Sequence, residues 1–161
     1  MKFVAHILAL VLASASSQSA EMLPIEAEVA EATKSTQVTI VHFWASWCPN
    51  CITELKHGGW QKFIEANPDT KVIFITVRDE KPGAVELAKF GLGAQRNFRH
   101  LQHPNASRRK EDTMTSFLGL PVGWIPATWI YREGRLRFAL NYGEIRFPIL
   151  QQLVDDSRAK W

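Results

Sequence analysis

An α/β fold, with a central mixed sheet flanked by helices on both faces, is what this sequence predicts, on three observations. Two runs rich in β-branched and aromatic residues, Val38 to Trp44 and Lys71 to Val77, read as buried strands. Each gives way to a segment whose apolar residues recur at helical spacing. A later pair of strand-like runs, Ala127 to Tyr131 and Leu136 to Leu140, joins through Glu133-Gly134 and reads as a hairpin. Helix-linked strands followed by a hairpin and a last helix build a sheet with helices packed against it.

The elements follow in order. Glu21 to Thr36 places Ile25, Val29 and Ala32 at helical spacing among glutamates, a short amphipathic helix ahead of the first strand. From Cys48 the pattern is helical, with Ile52, Leu55, Trp60, Phe63 and Ile64 as apolar positions; Gly58-Gly59 should kink it and Asn67-Pro68-Asp69 ends it. After the second strand, residues 82–91 predict a helix with Pro82 in its first turn and Gly91 at its end. Residues 93–112 are the least regular and carry Arg96, Arg99, Arg108, Arg109 and Lys110, with a short strand at Phe98 to Gln102. Glu111 to Leu118 reads as a short helix, and residues 144–157 as a closing amphipathic one. No repeat or low-complexity tract interrupts the order.

Composition sets the class. The chain has 161 residues, 46% hydrophobic and 22% charged, the balance of one globular domain and not of a disordered chain. A formal charge of +3, dispersed along the sequence, gives no argument for nucleic acid as a partner. The first twenty residues differ from the rest. Lys2 precedes an apolar run from Phe3 to Leu12 broken only by His6, and Ala13-Ser14-Ala15 offers small residues for cleavage. That run suits a signal-peptide core and is too short to span a bilayer of ~30 Å. Residues 1–20 are therefore expected to be a signal peptide, cut somewhere after Ala15 to Ala20, leaving 21–161 as one domain in the periplasm or outside the cell.

Only two cysteines occur, at 48 and 51. A pair this close closes almost no loop and restricts the unfolded chain little, so chemistry explains it better than stability. Trp47-Cys48-Pro49-Asn50-Cys51 falls where a buried strand turns into a helix. A thiol there faces unpaired backbone amides and the positive end of the helix dipole, which favour the thiolate. Cys48 is thus the expected nucleophile of disulfide exchange, and Cys51, one turn on, the residue that resolves the mixed disulfide. Pro49 suits the first turn because no amide proton is needed there.

With these residues in view, the run Val41 to Cys51 resembles the active-site segment of the thioredoxin superfamily, and Ile125-Pro126-Ala127-Thr128 resembles its proline loop. The resemblance covers roughly residues 25–157 and implies a thioredoxin-like fold with a cis Ile125–Pro126 bond facing the cysteines. Glu54 matches the glutamate that follows the second cysteine in exported TlpA/ResA-type proteins. That branch implies thiol–disulfide exchange with exported proteins, more often as a reductase than as an oxidase. It also implies a membrane protein as electron donor or acceptor. No separate cofactor is expected, the Cys48–Cys51 disulfide being the redox group.

Two positions depart from relatives. His42 stands where thioredoxin has a buried acid, and strand alternation puts it on one face with Ile40 and Trp44. It is either a proton acceptor for Cys51 or a core histidine held by hydrogen bonds. Lys56 replaces a helix-kinking proline, a bend that Gly58-Gly59 can supply. Trp44 reads as core, whereas Trp47 and Trp124 read either as core or as an apolar rim for a partner polypeptide. The arginines of 96–110 are a solvated surface or a docking patch. Two thiolates and an imidazole could alternatively bind copper or zinc, but His57, His100 and His103 show no ligand spacing that closes a site with the cysteines. No metal is expected, and a redox-silent interaction module is the remaining alternative.

Overall fold

The computed structural model describes residues 22–141 and 143–159; the expected signal peptide, 1–20, lies outside them. The chain runs α1 (Pro24–Thr33), β1 (Thr39–Trp44), α2 (Pro49–Leu55), a 3-10 turn (Lys56–Gly58) and α3 (Gly59–Ala66). There follow β2 (Lys71–Thr76), α4 (Gly83–Ala88), β3 (Phe98–Gln102), a hairpin of β4 (Ser116–Phe117) and β5 (Leu120–Pro121), β6 (Ala127–Arg132), β7 (Arg135–Leu140) and α5 (Phe147–Arg158).

The main sheet has the order β3-β2-β1-β6-β7. β1, β2 and β3 are parallel, whereas β6 runs antiparallel to β1 and β7 to β6. β1 therefore lies in the middle, and all six of its residues are buried. Side-chain alternation divides its neighbours between two cores. Ile40 and Trp44 join Val72, Phe74 and Ile130 under Leu55, Trp60, Ile64, Leu150 and Val154 of α2, α3 and α5. Val41 and Phe43 join Ile73, Ile75 and Trp129 under Val29 of α1, with Met114 and Phe117.

This topology builds the site by itself. Because β1 and β2 are parallel, their C-terminal ends emerge together, and Val77 N–H bonds to Trp44 O at 3.0 Å. Because β6 is antiparallel, it begins where β1 ends, with Ala127 opposite Phe43. The loop before β6 is thereby delivered beside the loop before α2.

The expected strands and hairpin are present at or within a residue or two of their boundaries. The kink also occurs, as a full break: His57 and Gly58 adopt φ of 61° and 67°, and Gly59 opens α3 so close to Phe147 that a Cβ would come within 2.3 Å of its ring. Three helices are shorter than expected, the first of them α1, which ends at Thr33 and not at Thr36. Pro82 caps α4 instead of entering its first turn, and α5 starts at Phe147 with Arg146 as cap, since Pro148 suits only the first turn.

One expectation fails. Residues 111–118 are not helical; they bend into β4, and the chain turns back through Leu118 and Gly119 at φ of 49° and 73°. Met114 and Phe117 fit a helical spacing, yet tertiary bonds hold the segment extended. Leu118 N–H donates to Glu26 Oε1 at 2.7 Å and the Met114 carbonyl accepts from Arg78 at 2.9 Å, while Phe117 is fully buried.

Candidate active site

Cys48 is the N-cap of α2, with extended backbone (φ −82°, ψ 115°), and its sulfur accepts the Cys51 N–H at 3.3 Å. Pro49 occupies the first helical position, where its missing N–H costs nothing. The Cys48 thiol also points at the Ile125 carbonyl, 3.6 Å away. The Ile125–Pro126 peptide is cis. Proline loop and nucleophile are thus in direct contact.

Both thiols are free, and they are not equivalent. The Cys48 thiol is lowered to about 7, first by a hydrogen bond from the Cys51 side chain and then by the backbone amides of Cys51 and Asn50, against the opposing effect of burial. The Cys51 thiol is pushed far up, chiefly by burial and further because its proton is donated to Cys48. One sulfur is therefore ready to ionise near neutrality while the other keeps its proton.

Behind the cysteines lies a buried polar chain. Glu54, 2% exposed, accepts the Ile145 N–H at 2.7 Å and the Trp60 indole N–H at 3.1 Å. Burial still outweighs these bonds and raises its carboxyl to about 7. His42 Nε2 lies 3.3 Å from Glu54 Oε2, and Nδ1 lies 2.8 Å from Thr128 Oγ1. The same burial lowers the imidazole to about 3, so the His42–Glu54 contact is a hydrogen bond from a neutral ring and not an ion pair. While Glu54 is ionised its carboxylate can only accept, which places the ring proton on Nε2 and leaves Nδ1 to accept from the Thr128 hydroxyl. The rings of Trp60 and Phe74 stand 4.6 and 4.5 Å from the imidazole.

His42 thus faces the side of the sheet expected from alternation, but both its nitrogens are occupied by Glu54 and Thr128. It is a buried histidine held by hydrogen bonds, and Cys51 feels the charges of Cys48 and, more weakly, of Glu54. Trp44 is fully buried, Trp47 is 37% exposed and Trp124 is 69% exposed. Trp47 donates its indole N–H to Arg78 O at 2.6 Å and carries the Arg108 guanidinium 4.1 Å above its ring. The basic segment therefore reaches the site's edge through Arg108, while Arg99 and Arg109 pair with Glu28 and Asp112. An open cleft of about 790 Å³ runs along Trp47 between residues 78–81 and 106–109.

Three residues here were not singled out in the sequence. Thr128 orients His42. Asp79, buried, accepts the Ser46 N–H at 2.5 Å and the Lys81 N–H at 3.0 Å, fixing the cysteine loop. Arg78 spans to the proline loop. The signal for Arg78 and Asp79 was position, since polar residues just past the C-terminal end of a parallel strand are where such sheets place sites; Thr128, inside antiparallel β6, carried no such mark. Among the described residues, no group of three or more His, Cys, Asp or Glu is arranged to hold a metal ion. His100 bonds to Thr76, and His103 to Asn105.

Fold and site together define a class: a thioredoxin-like protein with a Cys-X-X-Cys dithiol facing a cis-proline loop. A secreted Mycobacterium tuberculosis disulfide oxidoreductase homologous to E. coli DsbE superposes with a TM-score of 0.54 at 21% identity, over 78% of this chain and 85% of that one. A thiol-disulfide isomerase from Corynebacterium glutamicum gives 0.56 at 16% identity, over 81% and 86%. In sequence, 56 residues are 43% identical to the sporulation thiol-disulfide oxidoreductase A of Bacillus subtilis (strain 168), a match spanning 35% of this chain and about a third of the relative's length. No protein-family model matches the chain. The chain thus has a thioredoxin-like fold and is similar, over about a third of its length, to a thiol-disulfide oxidoreductase.

Proposed function

We propose that the protein is an exported thiol–disulfide oxidoreductase that reduces disulfides in other exported proteins. The observation that carries this is the asymmetry of the two sulfurs, Cys48 lowered to about 7 against the proline loop and Cys51 held protonated behind it.

The Cys48 thiolate attacks one sulfur of a substrate disulfide; that S–S bond breaks and the departing sulfur leaves as a thiolate that takes up a proton. A mixed disulfide now joins Cys48 to the substrate, and the Cys48 charge that opposed ionisation of Cys51 is gone. Cys51 then gives its proton to Glu54, whose carboxyl near 7 suits a base at neutral pH. The new thiolate attacks Cys48 Sγ and expels the substrate's second thiol. The substrate gains two electrons and two protons, and Cys48–Cys51 is left as a disulfide. A membrane-bound dithiol donor returns it to the reduced state. His42 fixes the Glu54 carboxyl, and the exposed Trp47 and Trp124 form the rim on which substrate rests.

The Cys48 thiol supports the reducing direction. A strongly acidic nucleophilic cysteine stabilises the reduced form and makes a strong oxidant; a value near 7 lacks that bias. The Lys2-to-Ala20 segment supports export. Cys51→Ser is the test: attack persists and resolution fails, so exported proteins should accumulate on Cys48 as adducts that dithiothreitol releases. Absence of adducts under oxidising and reducing conditions alike would remove the exchange mechanism. Adducts dominated by proteins whose cysteines are paired in disulfides at steady state would reverse the direction to an oxidase.

A further inference from the structure

Arg78 leaves β2 with φ of 55°, a conformation uncommon for a side chain of this size, and its two ends reach opposite halves of the site. Its carbonyl accepts the Trp47 indole beside the nucleophile. Its guanidinium turns the other way, donating from Nη2 to Val122 O at 2.5 Å and Met114 O at 2.9 Å, and from Nη1 to Gly123 O at 3.3 Å. Met114 and Val122 flank the two legs of the β4–β5 hairpin. Gly123 stands two residues before Ile125, whose carbonyl meets the Cys48 thiol.

We propose that Arg78 is a positioning residue: it clamps the root of the proline loop to the Trp47 end of the cysteine loop and so sets how a polypeptide disulfide is aligned on Cys48. Three carbonyls in different directions call for a planar, many-donor fork, which a lysine ammonium cannot reproduce from one point. Gly123, just before Trp124-Ile125-Pro126, stands in open space, where a Cβ would meet nothing within 4 Å. With no side chain at 123 to pack, that end of the loop is held through the Gly123 carbonyl. A small disulfide needs only the sulfur; a polypeptide also needs the loop's backbone in register, as in strand addition.

The proposal rests on the dithiol reading, and its test separates the two. In Arg78→Lys and Arg78→Met, amide hydrogen exchange of residues 122–127 is measured beside the rate constants for a disulfide-bridged peptide and for hydroxyethyl disulfide. The expected results are at least tenfold faster amide exchange across that segment and a peptide-to-small-disulfide rate ratio about tenfold lower, with Met worse than Lys. Unchanged protection, or an unchanged ratio, in Arg78→Lys overturns the clamp. Should Arg78→Met fail to fold, the Lys variant decides alone. A parent protein that reduced neither disulfide would defeat the dithiol reading, while protection would still judge the clamp.

Discussion

Behind and in front of the two sulfurs the protein is built differently. Behind them, Glu54, His42, Thr128 and Trp60 are buried and bonded to one another, from elements as distant in sequence as β1, α2, α3 and β6. In front, Trp47 and Trp124 are partly or largely exposed, the Arg108 side chain lies across an indole, and a cleft opens along the rim. The rear handles protons in a dry environment, where burial displaces both titratable groups from their ordinary values. In the proposed reaction the front meets the substrate, where exposed aromatic surface can be covered and released. Changes in the rear should therefore alter pH dependence, and changes in front should alter recognition.

The largest effect should come from the rear. Glu54→Gln removes the base, so the rise in resolution rate through pH 7 should vanish; at pH 8 the mixed disulfide should resolve about a hundredfold more slowly. Stopped-flow of the second step reads this, and an unaltered profile would move the proton elsewhere. Below pH 6 parent and variant should converge, because Glu54 is then protonated in both.

Stability should separate the two rear groups by sign. Glu54 has a raised folded value, so it takes up more protons folded than unfolded between about 4.5 and 7, and its contribution is lost as pH rises through that window. His42 has a lowered folded value, so its contribution is present above 6.5 and lost as pH falls toward 3. In melting temperature against pH, Glu54→Gln should flatten the decline toward neutrality, and His42→Gln the decline toward acid. Slopes that moved the same way would break the assignment of a neutral imidazole beside a raised carboxyl.

The front gives the smallest change. Trp124→Ala should raise KM for a peptide disulfide about threefold to tenfold and shift stability by less than ~0.5 kcal/mol, as surface positions usually do. A KM that stayed put would remove Trp124 from the rim.

How much the sequence told follows the same division between local and distant causes. β1, β2 and the β6–β7 hairpin were legible because residue type and turn chemistry set them locally, and the Cys48–Cys51 helix start because its thiol chemistry is local too. The expected helix over 111–118 does not form because Glu26 and Arg78, far away in sequence, hold the backbone extended. His42 was placed on the correct face, yet its partners could not be read, since Thr128 and Glu54 come together only when β6 pairs with β1 and α2 folds across them. Arg78 and Asp79 bond chiefly to backbone groups, which leave no mark on residue type.

The division of labour between the two sulfurs is most directly tested by titrating the thiolates of the reduced protein, through absorbance at 240 nm and through alkylation of each cysteine followed by mass. Cys48 should ionise near pH 7 with Cys51 remaining protonated well beyond pH 9. Joint ionisation near 9, or Cys51 titrating first, would contradict it.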